Sequence, residues 1–166
     1  MGTFKDPEAS GVGLKHFPMK PEKTIFLADD DADDRLLFEE ALREISGETQ
    51  LTMAQDGQQL MTILENALLP DVIFLDLNMP RKNGMECLQE LKQSPKLKHI
   101  PIVIFSTSTQ PEMIDKVYEG GAHYYISKPR NFGVLKNIIR QILSMNWHAS
   151  FPQPSKEKFI LKPRQR

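Results

Sequence analysis

Apolar residues in this chain follow two rhythms. Five short runs are nearly continuous: Thr24-Ile25-Phe26-Leu27-Ala28, Leu51-Thr52-Met53-Ala54, Val72-Ile73-Phe74-Leu75, Ile102-Val103-Ile104-Phe105 and Tyr124-Tyr125-Ile126-Ser127. Runs this short, bounded by turn residues, predict strands covered on both faces. Between and after them the spacing becomes helical. Phe38, Ala41, Leu42 and Ile45 stand at i, i+3, i+4 and i+7. Similar stripes are Leu60, Ile63, Leu64 and Ala67; Met85, Leu88 and Leu91; Met113, Ile114, Val117 and Tyr118; and Leu135, Ile138, Ile139 and Ile142. Each predicts an amphipathic helix. Stop signals agree: Ser46-Gly47, Pro70, Ser94-Pro95 and Gly120-Gly121 follow four of the stripes, and Pro111 suits a first helical turn. Asp56-Gly57 and Asn83-Gly84 are turns.

Strand then helix, five times in about 120 residues, implies βαβ units and a parallel sheet. Right-handed crossovers place helices on both sheet faces. Residues 1–22 carry Pro7, Pro18 and Pro21 and glycines at 2, 11 and 13 without periodicity, and are expected to be a flexible tail. The domain is expected over 23–146. Residues 147–166 form a second tail, too short for a domain, in which Trp147 and Phe151 are available to pack back on the domain or on a partner.

Composition changes this picture little. The chain has 166 residues, 21 basic and 22 acidic, for a net charge of −1. That balance offers no global attraction for nucleic acid or membrane, and neither is expected as a partner. Cys87 is the lone cysteine, so no internal disulfide forms, and a small core residue is the simpler reading of it than a reactive thiol. No apolar run approaches a membrane span, and the N-terminus lacks the plan of a signal peptide. A cytoplasmic location is the default expectation. The histidines at 16, 99, 123 and 148 lack metal-ligand spacing.

The chemistry concentrates where strands end. In an open parallel sheet, ligands bind at the carboxyl edge. Strand one delivers Asp29 and Asp30 there, strand three Asp76, strand four Ser106 and strand five Lys128. Asp76 ends an uninterrupted run of four apolar residues, and an unpaired carboxylate in such a place must be solvated, metal-bound or reactive. Three carboxylates on one rim suit a hard divalent cation such as Mg²⁺. A carboxylate beside a metal, a lysine and a hydroxyl is equipped to accept a phosphoryl group.

The segments LADD at 27–30, FLDLNMPRKNG at 74–84, FSTS at 105–108 and YISKP at 125–129 resemble, in order and spacing, the receiver domain of two-component response regulators. The resemblance covers about residues 24–145, and DLNMPRKNG looks most like stand-alone regulators paired with phytochrome-type kinases. It implies a doubly wound, flavodoxin-like (βα)5 three-layer sandwich with strand order 2-1-3-4-5. It implies a switch protein that takes a phosphoryl group from a sensor histidine kinase onto Asp76, with self-catalysed loading and loss, and not an enzyme acting on an outside substrate. Mg²⁺ would be held by Asp30, Asp76 and the carbonyl of Asn78, with Asp29 acting through a metal-bound water. Lys128 would pair with Asp76 and then with phosphoryl oxygens, and Lys128-Pro129 would be a cis peptide. Ser106 and Tyr125 would be the switch pair, the ring turning inward behind the hydroxyl. Asn78 and Ser108 would tune dephosphorylation. The output surface, for a downstream protein or for self-association, would be the fourth helix, fifth strand and fifth helix.

Two features depart from the usual pattern: Ser106 where threonine is commoner, and the extra carboxylate of Asp31. The simpler role for Asp31, Asp33 and Asp34 is a solvated acidic helix cap. A calcium loop over Asp29, Asp31, Asp33 and Glu40 fails because Asp34 stands where the turn needs glycine. A Mg²⁺-dependent phosphatase with an aspartyl nucleophile would need an acid–base aspartate at position 78, where this chain has Asn78. A pseudo-receiver that binds partners unphosphorylated sits poorly with an intact acidic pair, Asp76 and Lys128.

Overall fold

The computed structural model describes residues 23–147 and 152–163. The expected flexible tail over 1–22, and Phe151, lie outside the described residues. Five strands form one parallel sheet: β1 (Thr24–Ala28), β2 (Gln50–Ala54), β3 (Val72–Leu75), β4 (Ile102–Ser106) and β5 (Tyr124–Ser127), in the order β2-β1-β3-β4-β5. Helices α1 (Ala32–Ile45), α2 (Gly57–Asn66), α3 (Gly84–Gln93), α4 (Pro111–Glu119) and α5 (Phe132–Leu143) follow the successive strands. A four-residue helix, α6 (Lys156–Phe159), comes last.

Side chains alternate across a strand, so each apolar run feeds both faces. Ile25, Leu27, Val72, Phe74, Val103, Phe105 and Ile126 meet Phe38, Ala41 and Leu42 of α1 and the whole apolar stripe of α5. Phe26, Ile73, Leu75, Ile102, Ile104 and Tyr125 meet α2, α3 and Val117 of α4 on the other face. Both faces are therefore dry, which is why β1, β3 and β4 carry almost no polar residue. Phe38, Phe74 and Phe105 make edge-to-face contacts, with centroids 4.9, 5.7 and 6.1 Å apart.

Each helix begins just past a strand's carboxyl end. Asp31, Asp56, Asn83 and Asn131 cap α1, α2, α3 and α5 through their side chains. Asn83 also completes a capping box with Glu86. Helix α4 starts instead with Pro111 in its first turn and no side-chain cap. All these positive helix ends face the same rim.

Candidate functional site

Main-chain bonds beyond the strand ends set the site residues in place. The amide of Asp29 donates to the Ala54 carbonyl, that of Asp76 to Ala28, and that of Lys128 to Ser106, at 3.0, 3.0 and 2.9 Å. The sheet thus carries its register past the last strand residues and delivers Asp29, Asp76 and Lys128 to one spot. The turn after β3 folds tightly beneath Asp76. A Cβ on Gly84 would lie 2.2 Å from the Asp76 carbonyl oxygen, so only glycine lets α3 begin there.

Asp29 and Asp76 are buried and Asp30 is exposed. Lys128 Nζ lies 2.8 Å from Asp29 Oδ2, 2.8 Å from Asp34 Oδ2 and 3.2 Å from Asp76 Oδ2. Burial pushes the Asp29 carboxyl up to about 6, against the opposing pull of Lys128 and the Asp31 amide. Burial also raises Asp76, with Lys128 again opposing. Burial alone would lower Lys128, but its close pairing with Asp29 and Asp34 outweighs that and holds the ammonium charged above its ordinary range. The net arrangement is one cation shared among three anions, with negative charge left over.

That surplus bears on a metal. Asp29, Asp30 and Asp76 each offer a carboxylate oxygen, all within 4.8 Å of one another. Asp29 Oδ2 is buried and receives no aligned hydrogen bond, although Lys128 Nζ is close by. Hard oxygen donors, one of them unsatisfied, fit a divalent cation that keeps part of its water. The Asn78 amide points to Asp76 Oδ1 at 3.4 Å. Asp30, Asn78, Met79, Met85 and Met113 line a groove of about 560 Å³ that opens beside the carboxylates.

The other expected residues stand nearby. Ser106 is fully buried, and its Oγ accepts from the Ser108 amide at 3.2 Å. The Tyr125 ring is also buried, and its hydroxyl donates to the Ser108 carbonyl at 2.7 Å. Lys128-Pro129 differs from expectation: no cis peptide occurs among the described residues, so this bond is trans. Trans is the favoured isomer of an X–Pro bond, by about 0.5–1 kcal/mol, and Lys128 reaches all three carboxylates from it.

Three participants escaped the sequence pattern. Asp34 looks like a solvated cap residue, but the cap is Asp31, which accepts from the amides of Asp33 and Asp34. Asp34 instead sends its carboxylate back to Lys128. The available signal was its place in the first turn after the acidic pair, where a side chain leans toward the rim. Arg81, with φ 66°, ties the loop after Asp76 to the α2 cap by donating from Nε to Asp56 Oδ2 at 2.8 Å. Phe159 is fully buried against the Tyr118 and Tyr125 rings. No periodicity marks it.

Comparison with known proteins gives consistent results. Residues 25–140 match the family described as response regulator receiver domain. Response regulator Rcp1 of Synechocystis sp. is 36% identical over 141 residues, covering 81% of this chain and 95% of that protein. The solved structure of a phosphorylated cyanobacterial phytochrome response regulator, RcpA, is similar with a TM-score of 0.68 at 38% identity, covering 72% of this chain and 90% of that one. The Mn²⁺-bound form of Rcp1 gives 0.68 at 34% identity, over 80% and 99% of the two chains.

Proposed function

We infer, for a chain that belongs to the response regulator receiver domain family, that Asp76 is its phosphoryl acceptor and that a histidine kinase supplies the group. Phosphorylation-dependent switching is the general work of this family, and the protein is a signalling protein. The single observation that supports Asp76 as acceptor is the convergence on it of Lys128 and of a three-carboxylate cluster at the end of β3.

The step balances simply. The P–N bond of a phosphohistidine breaks as a P–O bond forms to the Asp76 carboxylate, and the departing imidazole keeps the electron pair and takes up a proton. Lys128, already 3.2 Å from Asp76 Oδ2, is placed to follow the charge onto a phosphoryl oxygen. Ser106 Oγ is placed to donate to another once it turns from the Ser108 amide. A divalent cation held by Asp29, Asp30, Asp76 and the Asn78 carbonyl would neutralise the phosphoryl oxygens. We take it to be Mg²⁺. Asn78 and Ser108 border the path of an attacking water and set the lifetime of the acyl phosphate. Asn78 offers an amide where a phosphatase would need an acid, so the chemistry stops at a slowly hydrolysed intermediate.

Residues 23–146 are the receiver unit in this reading, with 147–166 appended to it. The partner is a sensor kinase of the phytochrome type, a reading supported by the named relatives. No helix among the described residues is long and apolar enough to cross a membrane. We place the protein in the cytoplasm with its kinase.

The test is incubation with acetyl phosphate and Mg²⁺, read by intact mass. Wild type gains one phosphoryl group and Asp76→Asn gains none. A wild type that gains nothing, or an Asp76→Asn that gains equally, refutes the assignment.

A further inference from the structure

The surface expected to face outward as the output side is not bare. Residues 153–161 lie across α4 and along the free edge of β5. Gln153 Nε2 donates to the carbonyls of Tyr118 and Ala122, both at 2.7 Å, at the end of α4. The Tyr118 hydroxyl donates to the Pro154 carbonyl at 2.9 Å, and Lys156 pairs with Asp115 at 2.9 Å. Phe159 then enters the core between Tyr118 and Tyr125, with ring centroids 5.0 and 6.2 Å away. Ile160 bridges Tyr125 in parallel, and the Leu161 amide donates to the Tyr125 carbonyl at 2.9 Å. A short helical turn thus sets an aromatic anchor beside a single β-bridge at the sheet edge. Contacts run from the end of α4 to β5, engage both backbone and side chain, and include one fully buried aromatic ring.

We propose that the α4–β5 face is a docking groove for a phenylalanine-bearing segment, that residues 153–161 of the same chain occupy it, and that this occupancy is coupled to the Asp76 site through Tyr125. Tyr125 is the shared part. Its ring and backbone hold Phe159 and Leu161, while its hydroxyl holds the Ser108 carbonyl, two residues from Ser106. The ring cannot swing toward the segment without displacing Phe159, which is itself fully buried. The docked segment therefore holds Tyr125 inward. A phosphoryl group that draws Ser106 toward Asp76 favours the same inward ring. Coupling free energy is reciprocal, so phosphorylation tightens the segment and the segment favours the phosphorylated state. A partner that uses this face must displace the segment or bind on top of it. The coupling rests on the phosphoacceptor reading, whereas the occupancy does not.

The test is amide hydrogen exchange on the full chain, with and without Mg²⁺ and beryllofluoride as the phosphoryl mimic. The Leu161 amide is expected to be protected in both states, independently of protein concentration. The mimic should slow its exchange at least about fivefold, the lower end of ordinary coupling between sites. Phe159→Ala should weaken the beryllofluoride midpoint, followed by the Asn78 amide resonance, by a similar factor, and Phe159→Leu should restore most of it. If Phe159→Ala does not fold, Tyr118→Phe, which removes only the bond to Pro154, should speed Leu161 exchange. An unprotected Leu161, protection that grows with protein concentration, or no effect of Tyr118→Phe overturns the occupancy. Exchange indifferent to the mimic, or an unchanged midpoint in Phe159→Ala, overturns the coupling. Absence of phosphoryl uptake by mass counts instead against Asp76 as acceptor, and Leu161 protection then decides the occupancy on its own.

Discussion

Replacing Asp29 by asparagine should make the metal-free protein more stable at neutral pH, although it damages the site. Asp29 is fully buried, and its carboxyl sits at about 6 against an ordinary 3.8, chiefly because of burial. A folded-state value above the unfolded one means the native protein holds that proton more tightly. The associated stability is complete below pH 3.8 and is lost as pH rises through about 6. The interval corresponds to about 3 kcal/mol at pH 7. Asparagine removes the buried charge but must point its NH₂ at either Lys128 or the Asp31 amide, both donors, which costs about 1 kcal/mol. Lys128 keeps Asp34 and Asp76, so no cation is stranded. The net gain is about 2 kcal/mol, or about 4–8 °C in Tm for a chain of this size. Urea unfolding of chelator-treated wild type and Asp29→Asn at pH 7.5 and pH 4.5 measures it. The variant should lead at pH 7.5, and the gap should shrink at pH 4.5. Mg²⁺ at a hundred times the wild-type Kd should narrow the gap, because wild type gains about 2.7 kcal/mol and the variant, short of a carboxylate, gains less. A variant less stable than wild type at pH 7.5 without metal, or a gap independent of pH, refutes the reasoning.

Three further outcomes follow from the same geometry. Lys128→Met leaves Asp29 and Asp76 buried with no cation between them; it should cost about 3 kcal/mol in chelator and recover part of that with Mg²⁺, both read by urea midpoints. Gly84→Ala drives a Cβ to 2.2 Å from the Asp76 carbonyl oxygen and 2.7 Å from Leu77 Cα, main-chain atoms that cannot step aside, so Tm should fall by the equivalent of about 1–3 kcal/mol and loading from acetyl phosphate should slow. An unchanged Tm would show that the loop has slack. Asp34→Asn releases Lys128 from a competitor whose side chain is 33% exposed; a pair this open contributes at most about 1 kcal/mol, so loading should accelerate by no more than about fivefold, and slower loading in a mass time course would contradict the competition.

The fold was legible because both faces of the sheet are buried. That requirement writes itself into the chain as short continuous apolar runs separated by helical stripes, and the five strands and five main helices stand within a few residues of the expected places. Parallel pairing then forces every strand's carboxyl end onto one rim. Asp29, Asp30, Asp76, Ser106 and Lys128 were therefore identifiable as neighbours before any distance was known. Asn78, two residues past Asp76, was identifiable in the same way as an amide that carries no acid–base chemistry.

Tertiary structure alone decided how these charges are shared. No spacing rule says that the first turn of α1 returns Asp34 to Lys128, or that Asp31 is the cap that frees it, because both depend on where α1 lies against β5. The resemblance implied a cis bond at Lys128-Pro129 and the bond is trans, a difference no pattern could settle because the two forms differ by only about 0.5–1 kcal/mol and the surroundings choose. The segment after Trp147 shows the widest gap. Its one buried anchor among the described residues, Phe159, lies in a four-residue helix among lysines, too short to establish a period. It becomes intelligible only when the open edge of β5 and the rings of Tyr118 and Tyr125 are in place to receive it. The chain by itself determined which strand end carries Asp76, the proposed acceptor. Three-dimensional packing decided which residues share its counter-charge and what covers the face behind Tyr125, because those contacts join elements that no local pattern connects.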